Sequence, residues 1–218
     1  MGGGRAQCLM GKKCVHIVRK QNVPEELRVI TEPLIMDYAR RIGADVNLIG
    51  TMRAFPDYPP TYERMQIFAA GRGYDWNICV DTDILLGPEL VDATTVVPRE
   101  AVGLIMNYSA SQNFSVDHRF FRRDGRDFVP VESFIISSDW THDLWEPLRG
   151  GTMAHMAMVF YEHQIAEYAL ALNIAKCGLK VAGAFPSGSQ IARASADTER
   201  GIDVVASARA IVREWGGV

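Results

Sequence analysis

The chain has 218 residues and a mass of 24.2 kDa, enough for one domain whose core needs no disulfide or metal staple. Hydrophobic residues make up 48% and charged residues 22%, which excludes a disordered chain. Lys plus Arg number 23 against 26 Asp plus Glu, a net charge of −3, which excludes binding to nucleic acid by bulk charge.

Residues 12–20 read as a strand, with Val15, Ile17 and Val18 between basic ends. Thr31 stands where a helix N-cap belongs, with Pro33 in the first turn. Leu34, Ile35, Tyr38 and Ile42 share one helical face, and Gly43 takes the C-terminal cap. Residues 45–50 follow as a second strand. Pro59 and Pro60 open a second helix with Tyr62, Met65, Phe68 and Ala69 on one face, ended by Gly71 and Gly73. Residues 76–80 form a nearly continuous apolar run, the pattern of a strand buried on both faces. Residues 102–107 and 131–137 look similar. Between them Asp124-Gly125 marks a hairpin or an excursion from the sheet. Residues 162–177 are the clearest helix, with Ile165, Tyr168, Ala169, Leu172 and Ala175 together and Gly178 as its cap. Residues 180–185 give the next strand. The polar stretch 186–196, rich in turn formers, reads as a mobile lid, and so does the segment 122–126. A last amphipathic helix carries Val205, Ala208, Ile211, Val212 and Trp215. Alternating strands and helices predict a single α/β domain, its central, mostly parallel sheet of six or seven strands flanked by helices.

Cys8, Cys14, Cys79 and Cys177 are scattered, with no Cys-x-x-Cys pair, which argues against a cysteine zinc site and for a reducing, cytoplasmic setting. No run of about 18 apolar residues is present, so no transmembrane segment is expected.

Ligands of such sheets sit at the carboxyl ends of strands. There, directly after residues 76–80, stands Asp81-Thr82-Asp83. Two carboxylates so placed are costly without a compensating charge, and hard oxygens suit Mn²⁺ or Mg²⁺. A pair of solvated loop acids is the plainer reading. Side chains alternate along a strand, so Asp81 and Asp83 point to one side and Thr82 to the other. A strand that frays there leaves Asp83 farther out. Other candidates are Glu162, His163 and Glu167 where the long helix opens, although acids there also suit the helix dipole. Arg64 suits a phosphate or simple solvation. Arg119, Arg122, Arg123 and Arg126 form a basic cluster, read first as a solvated hairpin face. Trp140 and Trp145 suit acceptor sugars or the core.

Residues 62–68 and 74–86, with Tyr62, Arg64 and Asp81-Thr82-Asp83, resemble the centre of GT-A-type glycosyltransferases, closest to the glycogenin-like and galactosyltransferase-like branch. The likeness extends more weakly to residue 185. Residues 131–136 resemble a strand that carries Asn-Ser-Gly in that branch, where this chain has Glu132-Ser133-Phe134. Many members add a metal-binding His near the C-terminus, and no His follows His163 here; His155 or His163 are the substitutes. The resemblance implies a metal-dependent transferase, of hexosyltransferase type. It moves a sugar from a nucleoside-diphosphate sugar, UDP-sugar first, to a carbohydrate or glycoconjugate hydroxyl. Residues 12–100 are the nucleotide half and 101–218 the acceptor half. Asp83 ligates Mn²⁺ or Mg²⁺ directly, Asp81 holds the ribose or the metal through water, and Tyr62, Arg64 and Thr82 line the donor site. Glu162 or Glu132 is the base if the reaction inverts. The alternatives are a haloacid-dehalogenase-type phosphatase and a non-catalytic sugar-nucleotide-binding module.

Overall fold

The computed structural model describes residues 11–20, 23–105, 133–148, 164–183, 190–194 and 203–216. Eight strands are present among them: β1 (Lys13–Val18), β2 (Asp45–Ile49), β3 (Trp76–Asp81), β4 (Ile84–Leu86), β5 (Ala101–Leu104), β6 (Phe134–Ser138), β7 (Lys180–Gly183) and β8 (Ile191–Arg193). Six of them form one sheet in the order β2-β1-β3-β6-β5-β7, and β4 pairs with β8 in a separate antiparallel ribbon. In the large sheet only β6 runs against its neighbours. The expected mostly parallel α/β sheet is therefore present. β3 is buried along its whole length, as its apolar run implies.

The helices are α1 (Glu25–Arg41), α2 (Ile67–Ala70), α3 (Gln164–Cys177) and α4 (Val204–Glu214). Side-chain alternation sorts the sheet into two faces. Val15, Ile17, Ile78, Val80, Phe134 and Ile136 pack with Ile35, Tyr38 and Ala39 of α1. Cys79 and Ile135 on the other face pack with Met65, Trp145 and residues of α3. Asp81 lies two residues beyond Cys79 and so belongs to the α3 side. A third cluster joins α1, α4, Leu85 and Ala194. The last helix carries its apolar face there, as its pattern predicts.

The start of α1 corrects the sequence reading. The helix begins at Glu25, after Pro24, and Thr31 and Pro33 lie inside it. The missing Pro33 amide costs about 3 kcal/mol in a helix interior. Burial of the stripe Leu27, Thr31, Ile35 and Tyr38 outweighs that cost. The helix ends as expected at Gly43 (φ 67°), where the Ala44 amide donates to Ala39 O at 2.9 Å and the Gly43 amide to Arg40 O at 3.2 Å. The second expected helix starts as a 3₁₀ segment, Pro60–Gln66, that buries Tyr62, Glu63, Arg64 and Met65 in succession. Within the stretch 186–196, Ile191–Arg193 is β8, and Ile191 and Ala192 have apolar partners at the ribbon. The hairpin around Asp124-Gly125, with its arginines, lies outside the described residues, as do Cys8 and residues 186–189, 195 and 196.

Candidate functional site

β3 ends at Asp81, and Thr82 and Asp83 turn the chain into β4. The backbone of this turn is held on four sides. The Asp81 amide donates to Ser133 O at 2.9 Å and the Thr82 amide to Val18 O at 3.1 Å; Asp83 O accepts from the Ala194 amide at 2.8 Å. The Thr31 hydroxyl donates to Thr82 O at 2.7 Å. The misplaced cap residue is thus a support of the motif.

The two carboxylates converge on one amine. Lys20 Nζ lies 2.7 Å from Asp81 Oδ2, and 3.2 and 3.1 Å from the two oxygens of Asp83. Arg64 Nη2 reaches both oxygens of Asp81 at 3.2 and 3.1 Å, while its Nε donates to Thr61 O at 3.1 Å. Arg193 Nε donates to Asp83 Oδ2 at 3.2 Å. Asp81 is 0% exposed and Asp83 1%. The expectation of two acids at an open, frayed strand end is corrected: β4 and β8 seal the turn, and basic side chains supply the compensating charge. Thr82 is buried as well, its hydroxyl accepting from the Lys20 amide at 3.4 Å. Arg64 is neither solvated nor turned to an outer ligand; it is buried on Asp81. Burial works against its charge, but Asp81 and its neighbours outweigh that and hold its pKa above the ordinary value.

Glu167 of α3 sits in the same field. Burial, with a smaller push from Asp81, raises its carboxyl to about 7, although Arg64, Arg193 and Lys20 pull the other way. Tyr62 is committed to the protein: its ring stacks on Tyr58 at 4.5 Å, and its hydroxyl accepts from the Leu148 amide at 2.9 Å. Trp145 is core, donating to Ser137 Oγ at 2.7 Å, and Trp140 is exposed beneath Arg99. Glu132, Glu162, His163 and His155 lie outside the described residues.

Lys20 and Arg193 were not singled out by sequence. Lys20 had a usable signal: it follows β1, the parallel neighbour of β3, so both strand ends deliver side chains to one place. Arg193 had none, being 110 residues from its partner.

The donor set for a cation can be tested by charge. Lys20, Arg64 and Arg193 place three positive charges against Asp81 and Asp83, or against three acids when Glu167 is ionised. Among the described residues the acids of this cluster are therefore matched by basic side chains. Both aspartates already accept hydrogen bonds from these cations. Among the described residues no three His, Cys, Asp or Glu side chains form a group able to hold a metal. Among the described residues a resident Mn²⁺ or Mg²⁺ does not fit, since at Asp81 and Asp83 it would have to displace the Lys20 amine.

No protein-family profile matches the chain, and no curated protein matches it by sequence. Among solved structures it is similar to a glycosyltransferase involved in the glycosylation of the major capsid of PBCV-1, with TM-score 0.52 and 9% identity, over 92% of this chain and 99% of that one. The galactosyltransferase LgtC, in complex with donor and acceptor sugar analogues, matches with TM-score 0.44 and 10% identity, over 78% of this chain and 73% of that one. The fold is GT-A-like: a central, mostly parallel six-strand sheet with flanking helices. Among the described residues no helix is long and apolar enough to cross a membrane.

Proposed function

We propose that the protein is a glycosyltransferase that moves a sugar from a nucleoside-diphosphate sugar, UDP-sugar first, to a hydroxyl of a carbohydrate or glycoconjugate. One observation carries the reading: Asp81-Thr82-Asp83 is held at the carboxyl end of β3, where the sheet passes from parallel β1 to antiparallel β6, in a fold shared with a glycosyltransferase. Ligands of open α/β sheets gather at such a change of direction. Residues 12–100 form the donor half and residues 101–218 the acceptor half. The sugar's anomeric bond breaks through an oxocarbenium-like state, and neutralising the leaving diphosphate is the main task of the site. If the reaction inverts, Glu162 or Glu132 takes the acceptor proton, and Glu167 joins them because its raised pKa suits proton exchange near neutrality. The described thiols, Cys14, Cys79 and Cys177, are free, which agrees with a reducing, cytoplasmic setting.

The test is nucleoside diphosphate release from UDP-glucose, UDP-galactose, UDP-N-acetylglucosamine and GDP-mannose, with and without a mixture of acceptor sugars. Acceptor-stimulated release is expected from at least one donor. Hydrolysis of p-nitrophenyl phosphate with none of these donors used would make the protein a phosphatase. Binding without release would make it a non-catalytic module.

A further inference from the structure

We infer that the opposite rim of the sheet carries a separate carbohydrate-binding surface, on which Trp140 takes one face of a pyranose ring while Arg99, Asp75 and Asp139 meet its hydroxyls. This surface does not depend on the reaction at Asp81-Thr82-Asp83. β3 enters the sheet at Trp76, paired with Ser138 of β6, and leaves it at Asp81, about 17 Å farther on at roughly 3.4 Å per residue. Trp140 follows Ser138, in the 3₁₀ turn Asp139–Trp145. A single exposed apolar side chain needs no explanation. Trp140, 67% exposed, differs in what is fixed around it. Its amide donates to Ser138 Oγ at 3.0 Å, and the Ser138 amide donates to Thr141 Oγ1 at 2.9 Å. The Ser138 hydroxyl donates in turn to Arg99 O, which ties the turn to the residue lying over the indole. The Arg99 guanidinium sits 5.5 Å from the ring centroid on one side of the ring. Its Nε and Nη2 donate to the two oxygens of Asp139 at 2.8 Å each, and Nη2 also to Asp75 Oδ1 at 2.9 Å. Asp75 Oδ2 accepts from the Lys12 amide at 2.7 Å. These bonds leave Arg99 Nη1 and the second lone pairs of the carboxylates for an outer ligand, and all three side chains are 38 to 42% exposed. Such an exposed ion cluster contributes little to stability, so holding its members in place serves recognition better than folding. The ligand class follows from the mixture. A protein interface surrounds an aromatic anchor with apolar residues and keeps charge out of its centre. Here the groups beside the indole are charged. A pyranose has one face of weakly positive C–H groups, which suits the negative face of an indole, and a rim of hydroxyls that both donate and accept.

Affinity electrophoresis of the full chain tests this in native gels containing glycogen, dextran, xylan, mannan or hydroxyethylcellulose, against gels with none. Retardation by at least one of the five is expected. Trp140→Ala should weaken that retention by about tenfold, the worth of one aromatic contact, and Trp140→Tyr should keep most of it. Arg99→Gln should weaken it less than Trp140→Ala does. Thermal melts without polysaccharide establish that each variant is folded. The inference falls if none of the five polysaccharides retards the chain. It falls equally if Trp140→Ala is retained as well as wild type, because the sugar then sits elsewhere, at the motif end included. If none retards it and sedimentation shows that Trp140→Ala splits a dimer, the surface joins two copies of the chain instead. Nucleoside diphosphate release is read separately, so either conclusion can fail without the other.

Discussion

At the amino end of β3, Asp75 meets Arg99, which also clasps Asp139; the distances are 2.9 and 2.8 Å and the side chains are 38 to 42% exposed. At the carboxyl end Asp81 meets Arg64 at 3.1 Å, and the pair is 0 and 4% exposed. The partners and distances are nearly the same, and only the surroundings differ. In water the Arg99 cluster exchanges one set of hydrogen bonds for another and is screened by salt. Inside, each charge has forfeited its hydration, so its stability depends on every partner remaining. Geometry alone therefore says little about what an ion pair contributes, and burial decides.

The largest effect that separates the two ends is Arg64→Gln. It leaves the buried Asp81 without one of the two described basic side chains that bind it, and about 3–5 kcal/mol of stability should be lost in urea denaturation. A loss below about 1 kcal/mol would erase the distinction between the ends.

Next is acid sensitivity, which tests whether groups between the ends are also governed by burial. His16 is buried, with Nε2 2.9 Å from Asn77 Oδ1 and Asn47 Nδ2 3.0 Å from Nδ1. Burial lowers it from 6.5 to about 4. The unfolded chain takes up that proton first, so stability falls as pH drops from 6.5 to 4. Glu167, raised from 4.5 to about 7, has the opposite sign: its contribution is full below 4.5 and lost as pH rises to 7. The two offset one another in the intact protein. Glu167→Gln should uncover the His16 slope, about 3 kcal/mol lost between pH 6.5 and 4 in melts at stepped pH. A flat profile in that variant would remove His16 from the account.

Thr31→Val takes the hydroxyl from the buried Thr82 carbonyl and should cost about 1–2 kcal/mol by the same denaturation. An unchanged midpoint would mean that the turn needs no support from α1. The smallest effect is Arg99→Gln at the exposed end. Its midpoint should match wild type within error in high salt, and a clear loss there would show that exposure was misjudged as the deciding variable.

The comparison also explains what sequence could show. Short, largely apolar runs at residues 14–18 and 76–80 mark the central strands, since burial on both faces removes the polar alternation of a half-exposed strand. Gly43 and Gly178 mark helix ends because each adopts positive φ, at 67 and 62°. Thr31 misled because its residue type suits a cap, while its actual partner, Thr82 O, is 51 positions away. The acids of the motif were legible; their cations were not. Arg64 looks like any solvated helical arginine, and Arg193 sits in a Ser- and Gly-containing stretch whose three-residue strand is too short to leave a periodicity. Charge compensation between distant segments has no local pattern, so a pair of acids with nearby apolar residues suggested a metal.

The separation of Arg193 from Asp83 also orders events in time. Arg64 and Asp81 are 17 residues apart, Lys20 and Asp83 are 63, and Asp83 and Arg193 are 110. Joining distant segments costs little extra free energy, only about 0.6 kcal/mol for each doubling of the loop, but such contacts form late. At about 5–20 residues per second, a nascent chain spends roughly 5–20 s between emergence of Asp83 and arrival of Arg193. During that interval β4 has no β8 beside it and its backbone edge stands open. That edge stays unpaired until β8 arrives near the end of the chain, and a slow codon or a truncation ahead of residue 193 would prolong its exposure.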